Sequence, residues 1–163
     1  MRNKSVITIL CAIWFMALSG FAQESKITKK ELPPAVLKAF TTAYPKATIK
    51  GLSSEKEDGK TFFEIESVEG KTKRDLLYER DGSLVEIEAA IAAHELPDAV
   101  KTTIKREFPN GKVALAERTT KGNMVSYELR IMSGKSKVTL TINPEGKILS
   151  KESSGAKKEE KED

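Results

Sequence analysis

Slid against itself by 64 residues, the chain aligns Glu31–Glu88 with Glu95–Glu152 without a gap. Thirteen of those 58 positions are identical, where unrelated sequence would give about three or four. ELPPAV at Glu31–Val36 meets ELPDAV at Glu95–Val100, and Pro45 meets Pro109. Glu64 falls on Glu128, Gly70-Lys71 on Gly134-Lys135, Leu76 on Leu140 and Gly82 on Gly146. Other pairs keep their physical character, such as Tyr44 with Phe108 and Phe63 with Tyr127. A duplicated plan of this kind restricts the fold to whatever one copy can form, made twice.

Each copy reads as one helix followed by four strands. Val36, Phe40 and Tyr44 recur every four residues and form one apolar helical stripe, repeated by Val100, Ile104 and Phe108. Pro33 and Pro97 fall in the first helical turn, where a missing N–H costs nothing, and Pro45 and Pro109 stop the helices. The first strand is predicted over Ala47–Ser53 and Lys112–Arg118, the second over Lys60–Val68 and Met124–Met132. Period-two alternation puts Phe63 and Ile65, then Tyr127, Leu129 and Ile131, on one face. The third strand turns Leu76 and Tyr78 inward, matched by Val138, Leu140 and Ile142. Asp81-Gly82 and Glu145-Gly146 make tight hairpin turns into short fourth strands at Leu84–Ile87 and Ile148-Leu149.

Helical spacing at the head of each unit, with alternation after it, indicates an α+β fold: two tandem helix-plus-four-stranded antiparallel units, with the helices on one sheet face. The units span 27–88 and 89–152. A lone unit of this size buries only about 60% of its unfolded surface, so the expectation is one body closed over a common interior, with Ala89–His94 as connector. The outward face then carries Phe62, Glu64, Glu66, Val68, Lys73, Asp75 and Leu77, and in the second copy Ser126, Glu128, Arg130, Met132, Lys137, Thr139 and Thr141. Phe62, Val68, Leu77, Val85, Met132 and Leu149 form either an exposed apolar strip for a protein partner, or single scattered surface residues or fillers at the seam between the units.

The ends read differently. Arg2 and Lys4 precede an apolar run from Val6 to Leu18, and Gly20-Phe21-Ala22 supplies small residues at its end. That is the layout of a secretory signal peptide over 1–22, cleaved after Ala22, and the run is short for a span of about 20 apolar residues. Export to the periplasm or medium is expected, with no stable membrane insertion after cleavage. Cys11 lies inside the run with apolar residues on both sides, not at its end as a lipidated cysteine would. Cleavage therefore leaves no cysteine for a disulfide, nucleophile or metal. It also removes Arg2 and Lys4, taking the formal charge from +4 to +2 (4 − 2), with basic and acidic residues alternating, so no nucleic-acid stripe is present. Residues 153–163, SSGAKKEEKED, offer nothing to a core and are expected to be a disordered charged tail.

Catalytic chemistry lacks raw material. His94 is the only histidine and falls in the connector, where an exposed or capping role is expected. Without a second histidine or a mature cysteine, a zinc site or a nucleophile–base pair has almost no raw material. Glu64 and Glu128 occupy equivalent positions, but alternation turns them to the solvated face, so acid/base work is not expected of them. Glycines mark turns rather than a phosphate cradle. No cofactor and no metal is expected.

The order and recurrence of these short motifs resembles the PepSY-like, beta-lactamase-inhibitor-like periplasmic domain. The residues that carry it are Leu32-Pro33, Tyr44-Pro45, Phe63-Glu64-Ile65 and Asp81-Gly82, then Leu96-Pro97, Phe108-Pro109, Tyr127-Glu128-Leu129 and Glu145-Gly146. The resemblance covers both repeats and implies sheets able to join into a concave surface, which in the inhibitors grips a secreted enzyme. The inhibitors' paired cysteines are missing here, and a fold does not carry a binding target. Arg74 and Asp75 interrupt the apolar alternation that the second copy keeps.

The resulting expectation is an exported non-catalytic module that binds or inhibits another protein of the cell envelope or a secreted protein. Its candidate partner-binding face is Phe62, Glu64, Val68, Leu77, Arg130 and Met132. The alternative is a periplasmic carrier of a small molecule or ion held by the Lys- and Glu-rich outer face; a hydrolase is the third and weakest class.

Overall fold

Nine antiparallel strands lie side by side in strict chain order in the computed structural model, so the α+β fold has one sheet and two helices. Residues 24–154 other than Asp58 are described; the expected signal peptide 1–22, with Cys11, and residues 155–163 of the expected tail lie outside them. The elements are β1 (Ser25–Lys26), α1 (Pro34–Ala43), β2 (Thr48–Glu57), β3 (Lys60–Glu69), β4 (Thr72–Glu79) and β5 (Leu84–Ala90). A 3-10 turn at Ala93–Glu95 leads to α2 (Asp98–Glu107), β6 (Lys112–Lys121), β7 (Met124–Ser133), β8 (Ser136–Ile142) and β9 (Ile148–Ser154). No described helix is long and apolar enough to cross a membrane.

Local chemistry explains the helix entrances. The Glu31 carboxylate accepts the Thr28 backbone N–H at 2.7 Å, and Glu95 accepts that of Ala92 at 2.6 Å, which accounts for a shared glutamate ahead of both helices. Pro33 and Pro97 stand one residue before the helices, as N-caps rather than in the first turn; their carbonyls accept Leu37 N–H at 3.1 Å and Lys101 N–H at 3.0 Å. Tyr44 and Phe108 close the helices by donating to the Phe40 and Ile104 carbonyls, each at 2.8 Å, and a proline follows each.

The strand pairing repeats at the same 64-residue offset, irregularities included. Leu52 pairs with Ile65 and Ala116 with Leu129; Phe63 pairs with Tyr78 and Tyr127 with Ile142. A register shift falls between Ile49 and Gly51 and again between Val113 and Leu115, a second between Leu77 and Tyr78 and again between Thr141 and Ile142. The hairpin glycines also correspond. Gly82 has φ +89° and Gly146 φ +82°, and a Cβ there would stand 2.8 and 2.6 Å from the helix carbonyls of Ala35 and Ala99. Only glycine supplies that backbone and lets the hairpin lie against the helix.

The two halves join through the sheet rather than through a shared interior. Strand β5 pairs with β6 from Glu86↔Lys121 to Ala90↔Glu117, so Ala89 and Ala90 belong to a strand and the expected connector begins only after them. The apolar interior is divided. One cluster gathers Leu32, Val36, Phe40, Phe63, Ile65, Leu76 and Tyr78. The other gathers the α2 stripe Val100, Ile104 and Phe108 with Tyr127, Leu129, Ile131, Val138, Leu140 and Ile142. The expected common interior is replaced by two cores under one sheet, because continuity across β5–β6 already ties the halves together.

Arg74 and Asp75 pair regularly, with Ser67 and Glu66. Arg74 lies on the helix side with its guanidinium 5.2 Å above the Tyr44 ring and 3.2 Å from Glu69, filling the place that Val138 holds in the other core.

Candidate functional site

Both clusters draw on the same sheet face, that of Phe63, Ile65, Leu76, Tyr127, Leu129 and Leu140 together with the helix stripes. Alternation assigns the opposite face to Ser53 and Glu55 on β2, Phe62, Glu64 and Glu66 on β3, and Asp75 and Leu77 on β4. It continues with Glu86 and Glu88 on β5, Glu117, Thr119 and Lys121 on β6, and Glu128 and Arg130 on β7. This open face is where side chains are available for function.

Its charge is unusual for a chain of formal charge +4. Glu66, Asp75 and Glu88 stand directly opposite one another on three neighbouring strands, and Glu117 faces Glu128 across β6 and β7. Like charges in register destabilise a sheet by up to about 1 kcal/mol per pair. Glu66 also lies over the β2 backbone, where a Cβ at Gly51 would come within 2.6 Å of its carboxyl carbon. Burial pushes the Glu64, Glu117 and Glu128 carboxyls up; the Ser53 hydroxyl, donating to Glu64 at 2.8 Å, and Arg130, beside Glu117 and Glu128, work in the other direction. Glu55 is the extreme case. It is 9% exposed, and burial, reinforced by Glu64, Glu57, Glu24 and Glu86, pushes its carboxyl up to about 7. Its Oε1 is buried without a hydrogen-bond partner among the described residues.

Over β5–β9 the same face is hollowed into a cleft of about 660 Å³. Glu86, Glu88 and Glu128 line it with Lys121, which is 3.2 Å from Glu86, and Met124 and Leu149 stand at it 70% and 51% exposed.

Of the residues singled out from sequence, Glu64 and Leu77 are directly cross-strand, and Phe62 lies on the same face beside Glu55 and Glu79. Val68 sits further along β3 opposite Lys73, and Arg130 and Met132 lie on β7 opposite Thr139 and Lys137. Leu77 is not an exposed strip residue: it is 8% exposed, and its neighbours Glu64 and Glu86 flank it. Met132 is 39% exposed, and the Nε of Arg130 is buried without a hydrogen-bond partner among the described residues. His94 is exposed in the 3-10 turn. Sequence reasoning missed Glu55 and Met124. Among the described residues no group of three His, Cys, Asp or Glu is placed to hold a metal ion.

The helices back one side of the antiparallel sheet and leave the other side open, partly apolar and rich in carboxylates. The family described as "Putative beta-lactamase-inhibitor-like, PepSY-like" matches residues 11–86 and 67–150, and the chain belongs to that family. Solved structures share the fold. A structure from Bacteroides eggerthii described as "putative periplasmic proteins" is 17% identical, covering 74% of this chain and 88% of its own, at a TM-score of 0.63. A DUF2874 family protein from Bacteroides uniformis is 16% identical over 74% and 88%, at 0.61. A BLIP-like protein from Bacteroides fragilis is 17% identical over 77% and 88%, at 0.57. No curated protein matches the sequence.

Proposed function

We propose that the chain is an exported, non-catalytic module, built from repeats 27–88 and 89–152, that works by gripping another protein of the envelope or a secreted protein on its open sheet face. The observation that carries it is the one the fold does not need: carboxylates set in register around half-buried apolar side chains, on the face that no helix covers. Such an arrangement costs folding energy, and a partner that brings opposite charge to it offsets that cost. Export agrees with the signal-like start and with the description of the Bacteroides eggerthii structure as periplasmic. A non-catalytic role agrees with membership of a beta-lactamase-inhibitor-like family.

The test is capture of a partner from periplasmic extract by the purified chain, compared with a Met124→Asp/Leu149→Asp double variant and with Lys105→Glu on the helix side. Loss of capture in the double variant alone is the expected result. Equal capture by all three removes the open face from the account.

A further inference from the structure

Strands β2–β5 and β6–β9 keep the same pairing, so the ladders within each half do not dictate the positions where their open faces differ. Glu55, Phe62 and Leu77 correspond to Thr119, Ser126 and Thr141. The second half shows that the pairing forms with small hydroxyl side chains at all three places. In the first half the same places hold a carboxylate with an oxygen buried and unpartnered, an aromatic ring beside it, and a leucine 8% exposed. A buried acceptor without a donor is costly, and the second copy shows a cheaper alternative.

We infer that this corner of the open face receives a lysine or arginine side chain of the partner protein, its cationic head taken between Glu55 and Glu64 and its alkyl stem laid against Phe62 and Leu77. The inference rests on the proposed protein-gripping role and names the chemistry of the partner. Glu64 and Glu86 flank Leu77 across the strands, and Glu55 and Glu79 flank Phe62. Besides burial, the charges that raise Glu55 come from Glu64 on β3, Glu57 on its own strand, Glu24 ahead of β1 and Glu86 on β5, while Lys26 of β1 stands on the same face opposite Ser53. Two cations of this region are already engaged at its margin: Lys60 lies 3.4 Å from Glu79 and Lys121 3.2 Å from Glu86. A cation brought from outside supplies the missing donor, offsets the repulsion among the carboxylates, and meets an aromatic face suited to it. Its binding lowers the protonation tendency of Glu55, so affinity rises with pH through the region near 7 where the free carboxyl titrates.

The experiment titrates the purified chain with three peptides of equal length, one carrying Lys and Arg, one uncharged and one acidic, by fluorescence anisotropy. The basic peptide is expected to bind at least about tenfold tighter than the uncharged one, more tightly at pH 8 than at pH 6. Glu55→Gln is expected to remove about tenfold of that affinity while raising the melting temperature of the free chain, and Glu64→Gln to weaken binding less. A glutamate held only for structure would give the opposite melting shift. Failure of the basic peptide to bind better than the uncharged one, or unchanged binding by Glu55→Gln, overturns the inference. The broader role fails separately, when partner capture is indifferent to Met124→Asp/Leu149→Asp; capture sensitive to that pair but not to Glu55→Gln leaves the role standing and rejects the basic anchor.

Discussion

The two halves of the sheet share every hairpin and bulge position, yet they divide their stability and their surface chemistry differently. Under α2 the one buried hydroxyl of the helix, that of Thr103, donates to the Gly146 carbonyl at 2.7 Å, and the sheet side of the core is apolar, with Ile131 fully buried and Val138 5% exposed. Under α1 the equivalent places hold Ser67, whose hydroxyl donates to the Arg74 carbonyl at 3.3 Å, and Arg74 itself, stacked on Tyr44. On the opposite face the asymmetry reverses. The second half carries threonines and serine where the first carries Glu55, Phe62, Leu77 and Asp75, and its Arg130 stands where the first half has Glu66. Duplication let one copy keep the better core while the other accepted polar substitutions inside and crowded carboxylates outside. Divergence of that kind, at fixed backbone geometry, separates what the fold requires from what a binding face requires.

The comparison can be broken by moving residues between the copies. Ile131→Ser places the first half's residue in the second core, where no arginine–aromatic stack compensates. A loss of about 3 kcal/mol is expected by chemical denaturation, and a loss under about 1 kcal/mol would show the two cores to be equally tolerant.

Glu55→Gln should act in the other direction. Its carboxyl is held above its ordinary value of 4.5, at about 7, so the fold prefers the protonated form. The corresponding stabilisation is complete below pH 4.5 and is lost as pH climbs through 7. Glutamine keeps the neutral state at every pH, so the variant should gain about 2 kcal/mol at pH 8 and little at pH 4. Urea titrations at the two pH values check this.

The smallest effect belongs to the arginine stack. Arg74→Met keeps the alkyl bulk but removes the cation over Tyr44 and the contact with Glu69, at a cost of about 1 kcal/mol. In the second half the corresponding ring, Phe108, carries the exposed Lys151 4.9 Å above it, and Lys151→Met should cost less, because its charge is better solvated.

Much of this architecture was legible in the residues themselves. The helix stripes, the inward alternation of Phe63, Ile65, Leu76 and their counterparts, and the glycine turns follow from local periodicity, which the repeat printed twice. What escaped depends on how strands meet. Strand β2 was expected to end at Ser53, since the Ser-Glu-Lys-Glu run that follows carries no apolar alternation; it runs to Glu57, because pairing with β3 continues to Lys60. Glu55 was lost with that extension. The depth of Leu77 is not legible, because alternation assigns a face and says nothing of how deeply neighbours shelter it. The row Glu66–Asp75–Glu88 is invisible in sequence, since register between strands is set by turns and bulges. Two-residue β1, held only by Ser54 and Ser53, has no sequence signal of its own.

The central claim is that two cores hang from one uninterrupted sheet, so that the open face runs from Glu55 to Leu149 across the β5–β6 seam. Amide hydrogen exchange at that seam tests it most directly. The ladder from Glu86↔Lys121 to Ala90↔Glu117 should protect its inward-bonded amides as strongly as the β3–β4 ladder does. Amides at the seam exchanging freely while both flanking ladders stay protected would mean two sheets side by side, and the account of a single continuous face would be wrong.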